Sequence, residues 1–125
     1  MADRRLLIVD DSKLYRNSMI FAFQKYFTVD SCGNLADALK LIQKHHYDLL
    51  IIDGAFPESG DYELPNPTDS DYRGNLLAEA ARKRGIIVIG TSAAPEKLKN
   101  CDYTFKKPFD ILEMINFIKK ELKII

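Results

Sequence analysis

The chain has 125 residues, 46% hydrophobic and 29% charged, which suits one globular domain over residues 1–125 with a core that needs no staples. Eighteen basic residues balance eighteen acidic ones, so no positive excess points to nucleic acid or an anionic membrane. No apolar run nears the roughly 20 residues of a membrane span, no signal peptide is read, and Cys32 and Cys101 lie far apart; reduced thiols in a cytoplasmic setting are expected.

Strand and helix signals alternate along the chain. Arg4 to Asp10 reads as a strand, and its run "LLIV" is apolar enough to be buried on both faces. Ser12 is placed to cap a helix to about Tyr26, with Leu14, Tyr15, Met19, Phe23 and Tyr26 forming one buried face. Phe27 to Ser31 is a second strand. Asn34 caps a second helix to about His46, and "YDLLIIDG" supplies the third strand. Gly74 to Arg84 is helical and is ended by Gly85. Ile86 to Gly90 and Asp102 to Lys106 are the fourth and fifth strands. Pro108 opens a last helix, with Ile111, Leu112, Ile115, Ile118 and Leu122 on one face, and the basic residues Lys119, Lys120 and Lys123 complement its C-terminus. Five such strands with helices between them predict an α/β fold with a doubly wound parallel sheet.

Two segments break this rhythm. Residues 58–73, "ESGDYELPNPTDSDYR", form a polar loop with five acids, longer than most loops in compact domains. Between the fourth and fifth strands, "SAAPEKLKN" leaves room for about one helical turn.

In doubly wound sheets the ligand site lies beyond the carboxyl ends of the strands. Here the first strand ends in Asp10-Asp11, the third in Asp53, the fourth in Thr91-Ser92 and the fifth in Lys106-Lys107. Three carboxylates beside a core repel one another and resist desolvation. Together they suit a hard divalent cation such as Mg²⁺, which prefers oxygen ligands and shares phosphate oxygens. With the charge offset, a carboxylate can attack phosphorus and form an acyl phosphate. His45-His46 and the two cysteines show no metal-ligand spacing and read as structural.

At this point the sequence resembles a response-regulator receiver domain of two-component signalling. The segments "LLIVDDS", "DLLIIDGAFP", "RGNLLAEAARKRG", "VIGTSA" and "CDYTFKKPF" occur in that family's order and cover nearly the whole chain. The resemblance implies a CheY-like, flavodoxin-like fold with strand order 2-1-3-4-5. It implies a phosphoacceptor domain of a phosphorelay, not an enzyme, with a histidine kinase or phosphotransfer protein and a downstream protein as partners. Carried over by position, Asp53 is the phosphoacceptor. Asp10, Asp11, Asp53 and the backbone carbonyl of Ala55 hold Mg²⁺, and Lys107 binds the phosphoryl group. Ser92 is the switch hydroxyl, with Thr91 taking that role under a one-residue slip.

The sequence departs from the family in three places. Sixteen residues separate Pro57 from Gly74, so the loop between the third strand and third helix is enlarged. The segment from Ser92 to Lys107 is short, which shrinks the family's fourth helix. The family's aromatic switch position is Thr104, and Tyr103, one residue away, points to the opposite face. The long loop, stiffened by Pro65 and Pro67 and with Tyr62 and Tyr72 able to anchor it, reads either as an ordered element that selects the kinase or partner or as a mobile surface loop. These departures leave a second reading open, a pseudo-receiver that binds partners without phosphorylation. A phosphatase of the aspartate-nucleophile kind fits less well, because Ala55 stands where its second acid belongs.

Overall fold

Leu6, Leu7, Ile8 and Val9 are all buried, as a run that is apolar on both faces requires. In the computed structural model, which describes residues 4–125, they lie in β1 (Arg5–Val9), an inner strand of a sheet. The first three residues of the expected 1–125 domain lie outside the described residues. Parallel to β1 run β2 (Thr28–Cys32) on one side and β3 (Leu49–Asp53) on the other. Beyond β3 come β4 (Ile87–Ser92) and β5 (Tyr103–Lys106), giving the order β2-β1-β3-β4-β5. The strand order therefore reverses at β1, and the crevice beyond β1 and β3 is its switch point.

Helices cover both faces. On one, Ala38 and Ile42 of α2 (Leu35–Lys44) and Leu77, Ala78 and Ala81 of α3 (Gly74–Lys83) pack on Leu7, Val9, Leu50 and Ile52. On the other, Met19 and Phe23 of α1 (Lys13–Phe23) and Met114 and Ile115 of α4 (Ile111–Phe117) pack on Leu6, Ile8, Leu49 and Ile51. Each fully buried Leu, Ile or Phe contributes about 1.5–3 kcal/mol. Gly85, at φ +76°, closes α3 in the left-handed region.

Several local expectations need correction. The first helix stops at Phe23, short of Tyr26, and α2 stops at Lys44. Leu14 is 78% exposed because α1 turns Tyr15, Met19 and Phe23 inward, and Leu14 sits one helical step off that stripe. Pro108 does not open the last helix. Asp110 caps it instead, accepting from Leu112 N–H at 2.8 Å. That start places Leu112 outward, 67% exposed. The fourth strand continues through Thr91 and Ser92. Between β4 and β5 the chain makes only a 3₁₀ turn, Pro95–Lys97, as its length predicts.

Candidate functional site

Asp10 directly follows β1 and is 5% exposed. Its Oδ1 accepts from Ser12 N–H at 2.9 Å, which also sets up the start of α1, where Ser12 Oγ accepts from Tyr15 N–H at 3.2 Å. Asp53 ends β3, and Asp11 sits one residue past Asp10 at the neighbouring strand end. One carboxylate oxygen from each of the three lies within 4.8 Å of the others. Lys107 arrives from β5, its backbone N–H held by Ser92 O at 2.8 Å. Its ammonium lies 2.9 Å from Asp10 Oδ2 and 3.2 Å from Asp53 Oδ1, and 4.2 Å from the centre of the Tyr15 ring.

The electrostatics follow from this crowding. Burial pushes the Asp53 carboxyl well above the carboxylate range, and Asp10 adds to the shift while Lys107 opposes it. Asp11 is raised as well, chiefly by burial, with Leu64 N–H working the other way and Asp10 adding to it. Burial disfavours the charge on Lys107, but Asp53 and Asp10 outweigh it and raise its pKa. One ammonium among three carboxylates leaves the site short of positive charge. An all-oxygen donor set of this kind fits a hard divalent cation.

The two hydroxyls at the end of β4 have different employment. Thr91 Oγ1 donates to Ile52 O at 3.1 Å, inside the sheet. Ser92 Oγ accepts from Ala94 N–H at 3.0 Å and lies 3.0 Å from the Tyr72 hydroxyl. Ala55, buried, lies two residues beyond Asp53. The fold thus brings Asp10, Asp11, Asp53 and Lys107 together, with Thr91 and Ser92 on the adjacent strand end. Lys106 is in β5, paired with Ser92.

Other residues stay out of this site. His45 packs edge-on against Tyr47, 6.2 Å between ring centres. Burial pushes the Cys32 thiol up to about 12 and Cys101 up to about 11, so neither is a thiolate at neutral pH. Three participants carry no signal in the sequence: the Tyr15 ring under Lys107, the backbone N–H of Leu64, which donates to Asp11 Oδ2 at 2.7 Å, and the Tyr72 hydroxyl on Ser92. Of the two tyrosines expected to anchor the loop, Tyr72 reaches Ser92, whereas Tyr62 is 56% exposed.

Solved structures with this arrangement of elements decide the fold. A two-component response regulator from Clostridium difficile superposes with a TM-score of 0.75 at 16% identity, covering 97% of each chain. A CheY-like receiver domain protein from Methanospirillum hungatei gives 0.74 at 20% identity, covering 98% of this chain and 95% of that one. The chemotaxis response regulator CheY4 of Vibrio cholerae gives 0.72 at 19% identity, covering 99% and 100%. The chain has the CheY-like receiver fold. No protein-family profile matches the sequence, and no curated protein does either. Among the described residues, no helix is long and apolar enough to cross a membrane.

Proposed function

We propose that this chain is a phosphoacceptor signalling domain of a two-component or phosphorelay system. The observation that carries the reading is the Lys107 ammonium bridging Asp10 and Asp53, at 2.9 and 3.2 Å, inside a three-carboxylate cluster at the switch point of a receiver fold. Mg²⁺ would be held by Asp10, Asp11, Asp53 and the Ala55 carbonyl, and it supplies charge neutralisation for the transferring phosphoryl group.

In this reading an Asp53 carboxylate oxygen attacks phosphorus while the bond to the donor breaks, and the donor keeps that electron pair. Lys107 moves from the carboxylates to a phosphoryl oxygen, and Ser92 turns its single hydrogen to another. Ser92 is preferred over Thr91 because the Thr91 hydrogen is already engaged by Ile52 O. The donor is a histidine kinase or phosphotransfer protein in the cytoplasm. The output is a changed surface read by another protein, so the domain acts as a switch and not as an enzyme.

Incubation with acetyl phosphate and Mg²⁺, read by intact mass, tests this. One phosphoryl group is expected on the wild type and none on Asp53→Ala. A second reading, a pseudo-receiver working without phosphorylation, is favoured by one feature: Leu64 and Tyr72 already occupy Asp11 and Ser92. A wild type that stays unmodified, with neither it nor Tyr72→Phe binding beryllofluoride, would decide for it.

A further inference from the structure

Residues 58–73 do not hang free of the sheet. Pro57 O and Glu58 O accept from Leu35 and Ala36 N–H at the start of α2, at 3.0 and 2.9 Å, and Gly60 O accepts from Asn34 at 3.0 Å. The Asp61 carboxylate then meets Lys13 at 3.1 Å and Arg16 at 3.7 Å on α1. Leu64 reaches Asp11 at the end of β1. Asp69 meets Lys97 at 3.0 Å, beyond β4, and Tyr72 reaches Ser92. Because β3 lies between β1 and β4, these fastenings flank the end of β3, where Asp53 sits.

We propose that 58–73 is a strap closed over the pocket, fastened to Asp11 by Leu64 N–H and to Ser92 by the Tyr72 hydroxyl, and released when a phosphoryl group or its mimic loads Asp53. The inference rests on the phosphoacceptor reading and names the element that moves. Both fastenings engage groups that a loaded site needs. Ser92 Oγ has one hydrogen and two lone pairs, and Ala94 N–H already fills one lone pair. The bond to Tyr72 takes either the other lone pair or the hydrogen, and in the second case a phosphoryl oxygen competes for it directly.

Space and charge set the direction of the change. The Tyr72 ring lies against Gly54, the residue after Asp53, where an added Cβ would meet Cε2 at 2.6 Å. Glu58, Asp61, Glu63, Asp69 and Asp71 face a single base in the strap, Arg73. A phosphoryl group adds negative charge beside this net-acidic segment, in which Asp61, Asp69 and Asp71 are paired with Lys13, Lys97 and Arg73 while Glu58 and Glu63 add to the repulsion. Loading and closure are therefore opposed. By linkage, a strap that loading opens is one whose loosening strengthens loading.

Amide hydrogen exchange on the full chain tests this, in chelator, in Mg²⁺, and in Mg²⁺ with beryllofluoride, with ¹⁹F NMR counting bound fluoride. Amides within 60–72 should exchange about fivefold faster or more in the loaded wild type. Tyr72→Phe keeps the ring on Gly54 and removes only the hydroxyl. Its strap should exchange faster before loading, and it should bind beryllofluoride several-fold more tightly. Loading in Tyr72→Phe alone also supports the strap. Bound fluoride with unchanged or slower exchange in 60–72 overturns the strap and leaves the phosphoacceptor reading standing. No bound fluoride in either protein overturns both.

Discussion

Asp53 is held where its own charge is disfavoured, by burial first and by Asp10 second, with Lys107 only partly compensating. A folded-state pKa raised above the unfolded value near 3.9 means stability that is present at low pH and lost as the carboxyl ionises. The neutral isostere Asn avoids that loss. In chelator at neutral pH, Asp53→Asn should therefore be more stable than wild type by at least roughly 1 kcal/mol, the worth of about one pKa unit. The sign sets the pH dependence: the gap should be near zero around pH 4 and widen toward neutrality. Mg²⁺ should then raise the melting temperature of the wild type more than that of the variant, because a cation offsets the charge that Asn lacks. Urea melts at several pH values check this, and a gap that is flat with pH would mean Asp53 ionises at its ordinary value.

Two elements meet at Asn34, which is 4% exposed. Its Oδ1 caps α2 by accepting from Asp37 N–H at 2.8 Å, while its amide donates to Asp37 Oδ2 and to Gly60 O, both at 3.0 Å. Cap and tie are separable, because Asp ranks with Asn as an N-cap but has no amide hydrogens. Asn34→Asp keeps the capping oxygen but sets a carboxylate against Asp37 Oδ2 and Gly60 O, so it should speed amide exchange near 58–61. Asn34→Ala should lose cap and tie together, costing about 1–2 kcal/mol; an alanine variant as stable as wild type would contradict the cap. Asn34 as a cap was legible because a short polar residue precedes an apolar periodic run. The acids at the strand ends were legible for a similar reason, since a charge that stops a buried run stands out. The tie to Gly60 and the contact from Leu64 were not, because a backbone donor or acceptor has no letter of its own. Leu14 and Leu112 misled for a different reason. Apolar spacing predicts a stripe, but where that stripe faces depends on how the helix is rotated against the sheet, and one step turns a side chain by about 100°.

At the scale of the molecule, the sheet and its four helices form a frame to which the strap is an addition. The chain leaves and re-enters the frame at nearly one place: Phe56 N–H donates to Asp71 O at 3.3 Å, Arg73 donates to Phe56 O at 3.0 Å, and Gly74 N–H donates to Gly54 O at 3.0 Å. No residue within 59–72 is buried, and the pairs of Asp61 and Asp69 with surface lysines are exposed ones that contribute little. A short Gly-Ser link in place of 59–72 can therefore close the gap. Each halving of loop length returns about 0.6 kcal/mol of closure entropy, which offsets part of what the strap's own hydrogen bonds contribute. The shortened chain should fold cooperatively, with a melting temperature within about 4–8 °C of wild type. Its pocket keeps Asp10, Asp11, Asp53, Ser92 and Lys107 but has nothing lying across it. Acetyl phosphate with Mg²⁺ should thus still modify Asp53, and faster than in the intact chain. Transfer from a protein phosphohistidine separates covering from recognition: a strap that only covers the pocket leaves that transfer faster too, whereas a strap that also selects its donor leaves it slower while acetyl phosphate gains. A shortened chain that folds but takes no phosphoryl group would mean the pocket needs the strap to be built, and the frame would then not be the functional unit.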